Sequence, residues 1–303
     1  MRIVDSPDEL LLKGAILSIG NFDGVHLGHD MLLTSMQQLA AETDRPSIVL
    51  TFFPPSKVLF GEATFLTDTD EKLALLESYA PSAVVVIPFD HDYAKTSKTT
   101  FLNQLRRLAP HTIIVGEDFR FGHNRLGTLN DLSRLPKKLE VFGLKTIDGE
   151  VVKSSRIRQY LLEGQITCAN RFLGHSYTVR GRVTRGEQRG REIGFPTANI
   201  VTSPRKALPV GVFAVTVDTP YGTHGGMANV GPRPSFPDAA PSLEVHLFDF
   251  AKELYQETIV VSFHAFLRGQ VRFSGLSELT TQLAADREAA TRHLAKQFER
   301  GTF

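Results

Sequence analysis

One stretch, GNFDGVHLGHD at residues 20–30, constrains the fold of this chain more than any other. It places three glycines and two histidines directly after the apolar run AILSI at residues 15–19. Glycine loses more backbone entropy on folding than any other residue, so such a cluster indicates a sharp turn or a close approach of the backbone to a ligand. The two histidines indicate what kind of ligand that is.

His26 and His29 stand where a predicted strand ends and a predicted helix begins. The free N–H groups at the start of a helix carry partial positive charge, so this position is a favourable binding site for phosphate. Gly24 and Gly28 would let the backbone come close to that ligand. Two imidazoles can donate hydrogen bonds to phosphoryl oxygens, and these bonds strengthen as charge builds on a pentacoordinate α-phosphorus. The cluster therefore predicts a phosphate site in which no side chain attacks the phosphorus.

Alternatives for this cluster stay open at the level of sequence. The glycines can serve a turn while the histidines face solvent. Zinc is a weaker alternative, because the chain offers neither the adjacent glutamate of an H-E-x-x-H helix nor a cysteine partner. A Rossmann G-x-G-x-x-G loop and a Walker A loop are both absent here, which disfavours dehydrogenase and P-loop chemistry.

The composition of the chain limits the classes of partner that it is expected to bind. Lys and Arg number 34 against 33 Asp and Glu, so nothing global favours nucleic acid or a membrane surface. The single cysteine, Cys168, excludes an internal disulfide. No apolar run approaches the roughly 18 residues of a membrane span, and the first twenty residues are too acidic for a signal peptide. We expect a cytoplasmic protein, and its oligomeric state stays unknown.

The first half of the chain alternates short apolar runs with helical patterns. Strand-like runs cover residues 15–20, 47–52, 83–89 and 112–116, and helical periodicity covers 29–42, 71–79 and 98–108. Near-continuous valine and isoleucine runs separated by helices indicate a parallel sheet covered on both faces. We therefore predict a doubly wound, Rossmann-like α/β domain.

From Tyr177 onward the pattern changes to short strands broken by glycine and proline. Without helices to make parallel crossovers, these strands must run antiparallel, and five or six of them favour a small closed barrel or sandwich. Residues 276–298 then have the pattern of one long amphipathic helix that could pack against the barrel.

Two short predicted helices join the halves. The hydroxyl pair Ser154-Ser155 can cap a helix over 156–164, and a second helix covers 167–173. A length of 303 residues favours about two domains. We place the domains at 1–175 and 176–303.

The full pattern G-x-F-D-G-V-H-x-G-H resembles the signature of the H-x-G-H nucleotidyltransferases, and in this form the adenylyltransferase module of bacterial bifunctional riboflavin kinase/FAD synthetases. Further stretches resemble the same family in chain order: VGEDFRFGHNRLG at 115–127, KSSRIR at 153–158, GFPTANI at 194–200 and LEVHLFDF at 243–250. The resemblance spans nearly the whole chain. It implies an enzyme that phosphorylates riboflavin to FMN with Mg-ATP and adenylylates FMN to FAD, with release of pyrophosphate.

For the first module, the resemblance implies that His26 and His29 stabilise the transition state at the α-phosphate of ATP. Ser154, Ser155 and Arg158 would hold the leaving phosphates, a task that suits the planar fork of arginine. The expected nucleotide-binding residues of both modules are Gly20, Asn21, Phe22, Asp23, Gly24, Gly28, Asn124, Ser154, Ser155, Arg158, Gly186 and Gly194. For several of them a purely structural role stays open. Asp23 can orient the histidine loop or cap a turn. Asn124 can be an ordinary loop residue, and the serines can be a helix cap alone.

For the second module, Thr197 and Asn199 alternate around an alanine, so on an extended segment both face the same side. Hydroxyl and amide oxygens are suitable ligands for Mg²⁺ bound to ATP phosphates. The resemblance gives them that role and makes Glu244 the base on the 5′-hydroxyl of riboflavin. The alternatives are that Thr197 and Asn199 are turn residues and that Glu244 is a solvent-facing carboxylate on a strand. The segment from Gly186 to Gly194 is expected to cover the phosphates, although its arginines can be a solvated basic face.

At several positions the chain departs from the family pattern: Pro55, Phe65, Lys153, Pro232 and Gly269-Gln270. They leave flavin affinity and the balance of the two activities open. One alternative function is therefore an FMN adenylyltransferase whose barrel is weak or inactive. Others are a non-catalytic flavin-binding regulatory protein and a nucleotidyltransferase for a different phosphorylated metabolite, which would leave the GFPTAN segment unexplained.

Overall fold

A computed structural model of the chain describes residues 1–10, 12–186, 189–231 and 242–299. The chain divides into two compact units, Met1–Ser154 and Ser155–Phe303. Among the described residues, no helix combines the length and the apolar character needed to cross a membrane.

The first unit contains a six-stranded sheet whose pairings are all parallel. Its strands are β1 Arg2–Val4, β2 Ile16–Ile19, β3 Ser47–Phe53, β4 Ala83–Pro88, β5 Thr112–Gly116 and β6 Lys138–Phe142. The helices are α1 Leu27–Thr43, α2 Ser56–Leu59, α3 Thr69–Glu77, α4 Lys98–Leu108 and α5 Leu129–Leu132, and a hairpin of β7 Thr146–Ile147 and β8 Glu150–Val151 follows. The predicted doubly wound α/β domain is confirmed.

Both faces of this sheet are buried. Successive residues of a strand point to opposite sides, so neighbouring residues reach different cores. Leu17 of β2 faces a core that includes Leu105 of α4. Its neighbour Ile16 faces a second core, which Met36 of α1 and Leu76 of α3 complete. Near-continuous apolar runs are therefore required in the central strands, and this is why they were recognisable in the sequence.

The order of the strands places a binding crevice at one edge of the sheet. The sheet order is β1-β4-β3-β2-β5-β6. The chain thus steps from β2 outward through β3 to β4 and then returns to the other side of β2 at β5. In open α/β sheets, ligands bind at the carboxyl ends of strands where the order reverses in this way. The histidine-containing stretch follows β2 at that edge.

The second unit is a closed six-stranded antiparallel barrel with helices. Its elements are α6 Ser154–Leu162, whose first residue ends the first unit, α7 Ile166–Leu173, β9 Tyr177–Thr184, α8 Arg189–Glu192, β10 Ala198–Val201, β11 Gly211–Thr219, β12 Gly222–Gly231, β13 Ser242–Leu247, β14 Thr258–Arg268 and α9 Leu276–Glu299. The strand order around the barrel is β10-β13-β12-β11-β14-β9. Of the predicted alternatives, the barrel is confirmed and the sandwich is not formed.

The C-terminal helix α9 covers one side of the barrel. Ala290 and Leu294 of α9 pack against Met227 of β12. Ala214 of β11 and Ala265 of β14 belong to the same cluster. Arg268 at the end of β14 also binds Asp286 of α9, with its Nε 3.0 Å from both carboxylate oxygens. The carboxylate side chain is only 4% exposed, so this is a buried and directional ion pair.

Helix α7 packs on the barrel as well. Asn170 donates from Nδ2 to the carbonyl oxygen of Phe263 at 2.8 Å and accepts from the backbone N–H of Tyr177 at 2.8 Å. The compact units therefore divide before α7, whereas the sequence places the functional boundary near residue 175. That functional boundary stays a prediction.

Candidate functional site

The histidine loop, residues 20–30, brings its two imidazoles into direct contact. His26 is the N-cap residue of α1 and His29 lies in the first turn of that helix. Their rings stack with centroids 3.6 Å apart and planes 13° apart. The ring of Phe22 meets His29 edge-on, with centroids 5.2 Å apart. The predicted juxtaposition of two imidazoles with a helix N-terminus is therefore present.

The backbone of the histidine loop is strained. Phe22, Gly24 and Val25 have φ angles of 46°, 82° and 39°, in the left-handed region. Glycine adopts such angles readily, but a β-branched residue such as Val25 does so only as an outlier. Each non-glycine residue held there costs about 1–3 kcal/mol and persists only where its surroundings enforce the conformation.

Asp23 anchors this loop from within the protein. Its Oδ1 accepts hydrogen bonds from the backbone N–H groups of Leu66 at 2.8 Å and Thr67 at 3.1 Å. The Thr67 hydroxyl in turn accepts from the Gly24 N–H at 3.0 Å. Because Asp23 is buried and its bonds reach a segment more than forty positions away, it orients the histidine loop and does not merely cap a turn.

The electrostatic surroundings keep His29 neutral. Burial lowers the pKa of His29 well below its usual value, and the nearby His26 and Lys72 lower that pKa further. Its Nδ1 is buried and makes no hydrogen bond within the described part of the chain. A neutral imidazole carries one N–H donor and one acceptor nitrogen. His29 can therefore donate a hydrogen bond to an anion at neutral pH without bearing a charge itself.

The serine pair occupies the first turn of α6, which begins at Ser154 and not after the pair as predicted. The Ser154 hydroxyl donates to the carbonyl oxygen of Asp23 at 3.0 Å, so this serine is attached to the histidine loop. Ser155 and Arg158 follow on the same helix, within the second unit. Their contribution to a phosphate site stays a prediction.

Asn124 lies on an exposed 3-10 turn, His123–Arg125, after β5. Its φ of 52° is left-handed, which asparagine tolerates better than most residues. Since β5 is the neighbour of β2 in a parallel sheet, the segment bearing Asn124 and the histidine loop leave the same edge of that sheet. Contact of Asn124 with a nucleotide stays a prediction.

In the barrel, the strand register aligns the residues assigned to phosphoryl transfer. Asn199 of β10 lies directly opposite Glu244 of β13 on one side and opposite Thr184 of β9 on the other. Residues directly opposite each other in an antiparallel pair have Cβ atoms about 4.5–5.5 Å apart and share a face of the sheet. Thr197, one residue before β10, is exposed. The predicted proximity of Asn199 and Glu244 is therefore present.

Sequence reasoning missed Asn229. This residue of β12 lies opposite Glu244 on the side away from Asn199. The side chain of Gln270 donates from Nε2 to the Asn229 Oδ1 at 2.8 Å and to the carbonyl oxygen of Val230 at 2.9 Å. With its oxygen engaged by Gln270, the Asn229 amide still has a nitrogen that can donate hydrogen bonds. A lone asparagine within the strand-like run MANVG was the signal available in the sequence.

The segment that was expected to cover phosphates touches Asn199 directly. A Cβ atom at Gly186 would collide with the Asn199 amide, so only glycine lets the backbone approach this side chain so closely. The guanidinium groups of Arg185 and Arg191 lie 5.3 and 5.9 Å from the centre of the Tyr255 ring. Both arginines thus engage an aromatic face and are not merely solvated. Gly194 follows α8, whereas Glu187 and Gln188 lie outside the described residues.

A pocket opens beside Thr197. Its lining includes Arg191, Pro196, Thr197, Leu247, Phe250 and Tyr255. His246 of β13 donates from Nδ1 to the carbonyl oxygen of Pro196 at 2.8 Å, which fixes the backbone just before Thr197. Burial lowers the pKa of His246, so this imidazole is neutral at physiological pH.

The donor set of the barrel suits a hard cation. Nowhere in the described ranges do three His, Cys, Asp or Glu side chains come together as a metal site. The Thr197 hydroxyl and the Asn199 amide oxygen are the ligand types that Mg²⁺ takes when phosphates and water complete its octahedron. These residues fit a cation delivered with ATP phosphates and would not form a closed protein site.

The positions that depart from the family pattern leave these residues in place. Phe65 is buried, and its ring centroid lies 5.4 Å from that of Phe53. Pro55 precedes α2 as its N-cap residue, and Lys153 precedes α6. Gln270 takes part in the amide contact with Asn229. Pro232 lies outside the described residues.

Two family models match the chain, one for each unit. The FAD synthetase family matches residues 9–158, and the riboflavin kinase family matches residues 173–294. The first match contains the histidine loop and the serine pair. The second contains Thr197, Asn199 and Glu244.

Curated relatives match over nearly the full length. A bifunctional riboflavin kinase/FMN adenylyltransferase of Haemophilus influenzae is 35% identical over 294 residues, which cover 92% of this chain and 94% of the relative. Relatives of the same description from Escherichia coli K12 and Listeria monocytogenes are 35% and 32% identical, over 90% and 95% of this chain and 91% and 95% of the relatives.

A solved structure is also similar over nearly the whole chain. It has a TM-score of 0.85 and 26% sequence identity, and the match covers 95% of this chain and 98% of that one. Its title names a macrolide-efflux protein from Streptococcus pneumoniae. That description disagrees with both family models and with the curated relatives, which agree with one another and match this chain more closely in sequence.

Proposed function

The chain belongs to the bacterial family of bifunctional riboflavin kinase/FMN adenylyltransferases, and from this premise we propose how its residues divide the two reactions. The enzyme phosphorylates riboflavin to FMN and adenylylates FMN to FAD. ATP, riboflavin and FMN are its small-molecule substrates. We assign adenylylation to residues 1–175 and phosphorylation to residues 176–303, and the ranges of the two family matches support this division.

In adenylylation, an oxygen of the FMN phosphate attacks the α-phosphorus of ATP. The bond from this phosphorus to the bridging oxygen breaks, and pyrophosphate leaves. His26 and His29 donate hydrogen bonds to the non-bridging oxygens, where negative charge increases in the transition state. The free N–H groups at the start of α1 add to this stabilisation. The stacked imidazole pair at that helix terminus is the single observation that carries the assignment.

Ser154, Ser155 and Arg158 hold the leaving pyrophosphate. Hydroxyls on the first turn of a helix and a guanidinium one turn later are suitable donors for phosphate oxygens. The bond from Ser154 to the Asp23 carbonyl supports the role of Ser154, because it attaches this serine to the histidine loop. Asn124, which leaves the same edge of the sheet, contacts the nucleotide.

In phosphorylation, Glu244 accepts the proton of the riboflavin 5′-hydroxyl as that oxygen attacks the γ-phosphorus of ATP, and ADP leaves as the bond from this phosphorus to the β–γ bridging oxygen breaks. Thr197 and Asn199 would hold Mg²⁺. When bound there, the cation would neutralise the phosphate charge that develops during transfer. Asn229 orients the Glu244 carboxylate from the opposite side, and the segment Gly186–Gly194 covers the phosphates. The register that places Asn199 and Asn229 on either side of Glu244 supports these roles.

Chromatography of flavins after incubation of the purified chain with riboflavin, ATP and MgCl₂ tests the assignment. We expect FMN to form first and FAD to follow. FAD from supplied FMN, without any FMN from riboflavin, would instead select an adenylyltransferase with an inactive barrel. A folded sample that makes neither flavin would reject both activities.

A further inference from the structure

Lys72 of α3 is a charged side chain that neither proposed reaction uses. It is 1% exposed, and its ammonium group makes three hydrogen bonds. The acceptors are the carbonyl oxygen of Asn21 at 2.8 Å, the carbonyl oxygen of Phe52 at 3.0 Å and the hydroxyl of Thr51 at 3.2 Å. An ammonium has three donors, so all of them are satisfied. Lys72 therefore joins the histidine loop to the end of β3.

The three acceptors of this buried cation, two carbonyl oxygens and a hydroxyl, are neutral. Burying a charge is expensive unless it is paired, and an apolar side chain of similar length would fill the same space without that penalty. Burial lowers the pKa of Lys72 to about 8, against the opposing influence of Asp23. The positive charge also acts on His29, whose pKa it helps to lower. A packing role alone does not account for a lysine here.

The same segment holds the histidine loop at two points. Leu66 and Thr67 bind the Asp23 carboxylate, and Lys72 binds the Asn21 carbonyl. Phe22, with its left-handed backbone, lies between these two attachments and contacts His29 through its ring. Such strain persists only where the surroundings enforce it. The segment 66–72 therefore provides the restraint that the loop conformation needs.

We propose that Lys72 is a positioning residue for adenylyl transfer, whose ammonium group holds the histidine loop in its strained conformation and supplies a buried positive charge beside the imidazole pair. The inference rests on the proposed role of that pair. Its consequence is that the charge of Lys72, and not only its volume, supports FAD formation. Riboflavin phosphorylation in the barrel does not depend on it.

The first test compares Lys72→Met, Lys72→Arg and, as a matched control, Lys13→Met, which removes an exposed lysine of the same unit. We expect Lys72→Met to lower kcat for FAD formation from FMN about a hundredfold, as a small misplacement of reacting groups does, with a much smaller change in KM for ATP. Lys72→Arg should restore part of this loss. Riboflavin phosphorylation, measured on the same samples, should stay unchanged, as should both activities of Lys13→Met. Wild-type FAD formation by folded Lys72→Met would overturn the proposal.

A second measurement stays decisive even where Lys72→Met does not fold. The titratable groups facing Lys72 in the described residues are Asp23 from the histidine loop and His29 from α1, next to which His26 lies, while β3 contributes uncharged acceptors. We expect kcat for FAD formation by the wild-type enzyme to decline as pH rises through about 8. This decline should disappear in Lys72→Arg, because a guanidinium does not titrate in that range. An identical decline in both proteins, or a wild-type profile without one, would overturn the proposal.

His29→Ala is measured alongside to separate the two levels of inference. If His29→Ala forms FAD at the wild-type rate, the proposed function of the imidazole pair fails. If His29→Ala is inactive while Lys72→Met is fully active, only the role of Lys72 fails.

Discussion

The imidazole rings of His26 and His29 stack at 3.6 Å between centroids, at the first turn of α1. Burial lowers the pKa of His29, and the repulsion between two imidazolium ions at this distance lowers that pKa further. A stacked pair that is not doubly charged can donate hydrogen bonds to a phosphate while the helix terminus supplies partial positive charge. The relationship between these two rings is the observation on which the proposed adenylyltransferase site rests.

The first prediction concerns His29→Ala. Removal of one donor to the developing negative charge should lower kcat for FAD formation by about 10²–10³-fold, while FMN accumulates from riboflavin because the barrel is untouched. Flavin chromatography over time measures both steps. His111→Ala, which removes a histidine at the start of β5 and so at the amino edge of the sheet, is the matched control and should leave FAD formation unchanged. Equal FAD formation by His29→Ala and wild type would contradict the role of the pair.

The second prediction concerns Glu244→Gln. Without a carboxylate to accept the hydroxyl proton, riboflavin phosphorylation should fall by about 10²–10⁴-fold. FAD formation from supplied FMN should be retained, since adenylylation uses the other unit. Continued phosphorylation at the wild-type rate would show that another group accepts the proton.

The third prediction concerns Asn229, which lies opposite Glu244 in the barrel. Asn229→Ala removes the proposed hydrogen-bond donor to the Glu244 carboxylate; a hydrogen bond to a charged group is worth about 1.5–3 kcal/mol, so kcat for phosphorylation should fall by about tenfold or more. Gln270→Ala should have a smaller effect in the same direction, because Gln270 contacts the Asn229 side chain and would influence Glu244 through it. A larger loss in Gln270→Ala than in Asn229→Ala would contradict this order of contacts.

The fourth prediction concerns acid stability of the barrel. His264 is buried, with Nε2 2.8 Å from the Thr216 hydroxyl and Nδ1 3.3 Å from that of Ser176. Burial lowers the pKa of His264 from 6.5 to about 4. Between these two pH values the unfolded chain binds a proton that the folded barrel excludes. The free energy of unfolding should therefore fall by about 3 kcal/mol as pH drops through this window.

Urea denaturation at pH 7.5 and pH 4.5 measures this effect. His264→Gln should show a smaller loss of stability between the two pH values than wild type. His293→Gln, which removes an exposed histidine of α9, should lose as much as wild type. Equal pH dependence in wild type and His264→Gln would contradict the assignment.

The central strands were predictable because a parallel sheet buried on both faces requires uninterrupted apolar runs. The edge strands β1 and β6 were missed for the opposite reason. β6 has no fully buried residue and β1 has only one, so neither carries that signal.

The candidate site was predictable where chemistry is concentrated in a few neighbouring residues, as in the histidine loop. Lys72 was not, because the sequence EKLALLE is typical of a solvated lysine on a helix. Its burial depends on Asn21 and Phe52, which approach it only after folding. The role of Asp23, to orient the loop or to cap a turn, was left open for the same reason, since its partners Leu66 and Thr67 are distant in sequence.

The central claim is that one chain carries two independent phosphate sites, and mixing two inactivated variants tests it most directly. Folded His29→Ala and folded Glu244→Gln are each incubated with riboflavin, ATP and MgCl₂, first separately and then together, and flavins are resolved by chromatography. Separately, the first variant should stop at FMN and the second should leave riboflavin unchanged. Together they should produce FAD, because FMN released by one variant diffuses to the other. A mixture that forms no FAD, or either substitution abolishing both reactions, would contradict the account.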